Sequence, residues 1–145
     1  MLYLASDHAG FQLKEKLKSY LNKLEIRYQD LGPKKLDPKD DYPDFAFKVA
    51  FKVAINPDKN QGILICKTGQ GMMKAANKIK GIRAYLAWDK LTAKQAKTHL
   101  NANILTLGGE TVSFKKAKKI LYIWLSSKFS EKECYKKRLR KVEQK

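Results

Sequence analysis

Two cysteines, Cys66 and Cys134, and two histidines, His8 and His99, are all that the 145 residues contain. Neither cysteine belongs to a Cys/His cluster with ligand spacing, so no metal site is expected, and no motif calls for a cofactor. Two thiols cannot staple a disulfide scaffold either, and a reduced, cytoplasmic setting is the expectation. Long apolar runs are missing. The longest, Ile120 to Leu125, is flanked by lysines and falls well short of the roughly 18 residues that span a bilayer. Met1 to Asp7 is too short and lacks the basic start of a secretory signal, so no membrane partner is expected. Acidic residues are scarce, with 14 Asp and Glu against 31 Lys and Arg, for a net charge of +17. Such a field attracts anions, phosphorylated metabolites included. The lysines are scattered through nearly every helical segment, however, and nucleic-acid binding is not expected. Only Lys136 to Lys141 (Lys-Lys-Arg-Leu-Arg-Lys) forms a dense basic block.

What the chain does have is a 43% hydrophobic composition, ordinary for a globular protein, in an alternating pattern. Strands are expected at Leu2 to Ser6, 62–66, 82–87 and 103–107, with a half-polar one, nearer a sheet edge, at Ile26 to Leu31. Helical spacing covers Phe11 to Leu24, Asp44 to Ile55, 70–79, 91–99 and 112–127, with a basic C-terminal helix at about 130–143. Gly32 to Pro43, rich in Pro, Asp and Lys, reads as a loop. Strands joined by single helices predict a three-layer α/β/α sandwich around a five-stranded parallel, Rossmann-like sheet, with residues 1–145 forming one domain.

Ligand sites in such sheets lie at the carboxyl ends of the strands. The most informative segment there is Gly62-Ile-Leu-Ile-Cys66-Lys-Thr68-Gly69-Gln-Gly71, an apolar strand that ends in a thiol and passes into a glycine-spaced loop opening a helix. A loop of this kind can aim backbone N–H groups at one point, as anion binding requires. Cys66 is then either a nucleophile or proton acceptor at the mouth of that loop, or a small residue closing a strand. Asp7, His8, Cys66 and Thr68 all follow strand ends and are expected to converge on one rim. His99 ends a helix that returns toward the opposite rim. It either interacts with the dipole of its own helix or serves a neighbouring subunit's site.

Taken in order, several segments resemble the ribose-5-phosphate isomerase B family, whose relatives include the galactose-6-phosphate isomerase subunits. They are Ser6-Asp-His-Ala-Gly10, Asp41-Tyr-Pro43, Gly62 to Cys66, Thr68-Gly-x-Gly71, Ala75-Ala-Asn-Lys78, Gly81-Ile-Arg-Ala84, Thr92-Ala, His99, Asn103 and Leu107-Gly108. The resemblance implies an aldose–ketose isomerase that acts on a phosphorylated sugar through a cis-enediolate. It implies a homodimer, with a tetramer as the alternative, and sites at the subunit interface. Cys66 then stands where some members carry a cysteine base, and Met72 near where others carry a glutamate. His99 is expected to reach the partner's site and assist ring opening. Thr68 is expected to orient the substrate. Asp7, His8, Tyr42, Lys67, Gly69, Gln70, Gly71 and Asn101 complete the expected substrate contacts, and Lys137, Arg138, Arg140 and Lys141 are expected to bind phosphate. A thiol ionises near about 8.5 unless a cation or helix start lowers that, and the N–H groups of the 67–71 loop could supply such a field and a hole for the enediolate. One such donor is worth roughly 3 kcal/mol of barrier in acyl-transfer enzymes.

Five positions depart from the family. Lys67 replaces the glycine after the cysteine, Leu100 replaces an asparagine after the histidine, and Glu110 replaces an arginine associated with phosphate. The C-terminal arginine pair corresponds only loosely to Lys137 and Lys141. Ribose 5-phosphate to ribulose 5-phosphate is the default reaction, and the departures motivate two alternatives: an isomerase for another sugar, such as a hexose phosphate, and a non-catalytic sugar-phosphate-binding homologue. Glu110 beside phosphate would be repulsive, so a pairing with Lys67 or a tail cation is expected.

Overall fold

The computed structural model describes residues 1–144; Lys145, the last residue of the expected 1–145 unit, lies outside the described residues. Five strands, β1 (Leu2–Ser6), β2 (Tyr28–Asp30), β3 (Gln61–Cys66), β4 (Ala84–Leu86) and β5 (Ile104–Gly108), form an all-parallel sheet in the order β2-β1-β3-β5-β4. Helices α1 (Phe11–Lys23), α2 (Tyr42–Ala54), α3 (Gln70–Ala76), α4 (Lys90–Thr98) and α5 (Phe114–Ser126) connect or follow the strands, and α6 (Glu133–Glu143) ends the described chain. The expected three-layer α/β/α architecture is the one observed.

Side chains alternate across the central strands and build two cores. Ile63 and Ile65 face α1, α4 and α5, meeting Leu13, Leu17, Leu21, Ala93, Ile120 and Trp124. Leu64 and Cys66 face α2 and α3, meeting Val49, Val53, Met72 and Ala76. Helical spacing in α1 puts Leu17 and Leu21 wholly out of water, and burying each such side chain stabilises by roughly 1.5–3 kcal/mol. α6 is different: none of its residues is buried.

Several element ends differ from the expected ranges, for local reasons. β2 is shorter than Ile26 to Leu31 because an edge strand pairs on one side only, here through Tyr28, Gln29 and Asp30. α2 starts two residues before Asp44, with Pro43 in its first turn, where proline's missing N–H has no partner to lose. α3 stops at Ala76 because the Asn77 amide bonds both the N–H and the carbonyl of Ala84, at 2.8 and 2.9 Å, fastening the helix end to β4. β4 begins after Arg83, whose N–H is taken by the Asn103 side chain at 2.8 Å.

One buried cation fixes the loop that enters the site. Lys14 is fully buried in α1, and its Nζ donates to Asp30 Oδ2 at 2.7 Å and to the Pro33 carbonyl at 3.0 Å. Burial pushes the Asp30 carboxyl up, but the ammonium groups of Lys14 and Lys18 and the Gly32 N–H outweigh it and hold Asp30 below its ordinary value. The 32–41 loop therefore leaves the sheet in a fixed direction toward the carboxyl ends of β1 and β3.

Candidate active site

The chain departs from β1 toward β2 on one side and reaches β3 on the other, so β1 and β3 flank the point where strand order reverses. Their carboxyl ends are the usual ligand position in such sheets. Ser6 and Cys66 end the two strands. The Asp7 N–H donates to the Ile65 carbonyl at 3.2 Å, and the Gly109 N–H donates to the Cys66 carbonyl at 2.7 Å. Loops after β1 and β5 are thus strapped to the end of β3, one on each side of the thiol.

Cys66 is 5% exposed, and its Sγ accepts the Gly69 N–H at 3.2 Å. That contact needs a tight turn. Gly69 has φ of +82°, and a Cβ there would lie 2.9 Å from the Leu107 carbonyl carbon, so glycine alone fits without strain. Tyr42, at the start of α2, lays its ring over the first turn of α3: a Cβ on Gly71 would sit 2.9–3.2 Å from the ring carbons. Thr68, Lys67 and Gln70 are exposed on the same rim. The Glu110 N–H donates to the Lys67 carbonyl at 3.1 Å, and Lys67 Nζ lies 3.7 Å from Glu110 Oε2. The substituted cation and the reversed charge therefore face each other, as the sequence led us to expect.

Asp7 is buried, and its Oδ1 accepts the Gly10 N–H at 3.0 Å. Burial raises its carboxyl above the ordinary value, and the Gly10 hydrogen bond offsets this in part. His8 is exposed. Its Nδ1 and its backbone N–H both meet Asp40 Oδ1, at 2.7 and 2.9 Å, while Asp40 Oδ2 is buried with no partner among the described residues. The Asp40 hydrogen bond raises the His8 pKa above 6.5, so this pairing contributes most below that pH and fades as pH rises through the folded-state value. With only two histidines to assign, an NMR titration reads this directly. We expect Asp40→Asn to lower the His8 pKa; an unaltered His8 titration would mean that Asp40 does not set its charge.

The other expected residues lie elsewhere in the same chain. His99 caps the end of α4 and stacks on Tyr135 of α6, with ring centroids 4.3 Å apart. It precedes β5, whereas Cys66 is level with the end of that strand, so the length of β5, roughly 13 Å at 3.3 Å per residue, separates the two groups. Asn101 follows in a left-handed conformation, φ 50°. Lys136, Leu139 and Arg140 line a groove of about 490 Å³ with Arg83, Asn101 and Phe129, also away from Cys66. In the basic block, Arg140 pairs with Glu133, Arg138 lies over the Tyr135 ring at 5.9 Å, and Lys137 and Lys141 are exposed. Cys66, Thr68, Lys67, Gly69, Gln70, Gly71, Asp7, His8 and Tyr42 are brought together; His99, Asn101 and the tail cations are not.

Two features of this region escaped the sequence reading. Asp40 lay unremarked in a Pro/Asp/Lys-rich loop, since only the path of the loop brings it to His8. Lys97 was legible in principle, because it falls four residues after the inward-facing Ala93 of α4. Among the described residues, no group of three or more His, Cys, Asp or Glu could hold a metal ion, and no helix is long and apolar enough to cross a membrane.

A model of the ribose/galactose isomerase family matches residues 2–142 of this geometry-bearing chain. The chain belongs to the ribose/galactose isomerase family. Family members with solved structures agree throughout their length. Ribose-5-phosphate isomerase B of Mycoplasma genitalium, solved with bound ribulose-5-phosphate, superposes with a TM-score of 0.95 at 42% identity, over 99% of this chain and 93% of that one. The enzyme of Thermotoga maritima gives 0.92 at 40% identity, over 99% and 97%, and that of Clostridium thermocellum 0.92 at 35%, over 99% and 95%. Membership makes the protein an isomerase.

Proposed function

We propose that the protein interconverts ribose 5-phosphate and ribulose 5-phosphate through a cis-enediolate, with Cys66 as the base. The observation that carries this reading is the Cys66 sulfur at the strand-order reversal, gripped by the Gly69 N–H at 3.2 Å, with the Asp7 N–H on the adjacent Ile65 carbonyl and the Tyr42 ring against Gly71. A thiolate there would take the C2 proton of the open-chain aldose and return it to C1, while a proton passes from the C2 hydroxyl to the C1 oxygen. In this reading the other N–H groups of the 67–71 loop would stabilise the oxygen on which charge develops, where preorganised donors act most strongly. Ribulose-5-phosphate bound in a relative 42% identical supports the substrate class.

In this reading the protein works as a homodimer in the cytoplasm. Cys66 and His99 sit at opposite ends of parallel strands, so one copy cannot bring them to one sugar; a second copy can. The tail supports the same reading, since α6 buries no residue in its own chain while carrying Lys137, Arg138, Arg140 and Lys141. We assign phosphate binding to these cations, reaching the partner's crevice, with Glu110 neutralised by Lys67.

A coupled assay of the purified protein on ribose 5-phosphate tests the activity; no turnover by a folded dimer would defeat it and direct the search to hexose phosphates. Deleting residues 136–145 should raise KM at least tenfold and weaken the salt dependence of the residual activity. An unchanged KM in an intact dimer would remove the tail from phosphate binding.

A further inference from the structure

His99 acts, in the function proposed above, from a turn that has no regular structure of its own, and two cations hold that turn. Arg83 Nε donates to the Asn101 carbonyl at 2.6 Å, and Lys97 Nζ donates to the adjacent Ala102 carbonyl at 3.0 Å. The Ala102 N–H closes the loop onto Ala96 at 2.9 Å, and Asn101 between them is left-handed. The turn therefore has one shape only while both carbonyls are gripped from the side of the core.

Lys97 is the unusual partner. It is 8% exposed, its ammonium lies 4.2 Å from the centre of the Trp124 ring, and the Ala102 carbonyl is its one hydrogen-bond acceptor among the described residues. Burial, helped by the charge of Arg83, pulls its pKa down to about 8. A lysine so placed is a poor choice for stability, since a buried charge without a carboxylate is costly and an apolar side chain of similar length would pack on Trp124 without that cost. An apolar side chain would reproduce neither its cation–π contact with Trp124 nor its reach to Ala102, and only the second touches the turn.

We propose that Lys97 is a positioning residue for catalysis, which fixes the turn carrying His99 by gripping the Ala102 carbonyl. It touches neither substrate nor His99 and acts through the backbone of residues 99–102. The assignment rests on the reading of His99 as a catalytic group.

The test is a double-mutant cycle on the dimer, with thermal stability measured alongside turnover of ribose 5-phosphate. Lys97→Met should keep or raise Tm at neutral pH, yet lower kcat at least tenfold with KM within a factor of three. Lys97→Arg, which keeps a cationic donor, should retain most of the activity and serves as the readout if the Met variant does not fold. In a His99→Ala background, Lys97→Met should cost less than twofold more, because the group it positions is gone. A fully active Lys97→Met enzyme beside an inactive His99→Ala one would overturn this inference alone, as would an equal loss in both backgrounds or an inactive, folded Lys97→Arg. A fully active His99→Ala enzyme would overturn the role of His99 and this inference with it.

Discussion

Cys66→Ala is expected to lower kcat by about 10²- to 10⁴-fold, the usual cost of removing a general base, while the protein stays folded. The substitution removes one buried sulfur and leaves the Gly69 N–H without its acceptor, a loss of about 1–3 kcal/mol against a total of about 5–15 kcal/mol for a typical fold. A modest fall in Tm should therefore accompany the loss of turnover. Cys66→Ser separates the two effects: the hydroxyl keeps an acceptor for Gly69 but ionises far less readily than a thiol, so stability should recover and activity should not. Wild-type turnover in folded Cys66→Ala protein would take Cys66 out of the mechanism, and a different base would then have to be sought on the same rim.

Mixing two dead enzymes should revive activity. If His99 serves the partner's crevice, Cys66→Ala and His99→Ala homodimers each carry two defective sites. A heterodimer carries one site with both groups intact and one lacking both. At full statistical exchange half of all dimers are mixed, so about a quarter of wild-type activity should return, from a baseline lower by about 10²-fold. No recovery after exchange verified by mass spectrometry would place His99 in its own subunit's site or outside the chemistry.

The fold was legible in the sequence where periodicity was strong. β1 matched its expected span, and the apolar run at 62–66 marked β3 to within one residue, because a central parallel strand is buried on both faces and has no polar alternation to obscure it. Edge strands β2 and β4 were over-extended, since their flanking residues look equally strand-like and only pairing decides where a strand stops. The Cys66 rim was legible because its members follow strand ends directly. Asp40 was not, because nothing local to an irregular loop encodes where it returns. Arg83 and Lys97 needed the third dimension as well: they converge on one turn from 14 residues apart in sequence.

The shortness of the outer strands bears on how copies of this chain can meet. β2 and β4 are three residues each, so each lateral border of the sheet offers only a few free backbone donors and acceptors for another chain's strand. A net charge of +17 further resists such lateral zippering. Self-association is thereby steered away from sheet extension and onto helical and loop surfaces, where side-chain shape sets the geometry. That route leaves the strand ends that carry Cys66 clear of any sheet-to-sheet seam.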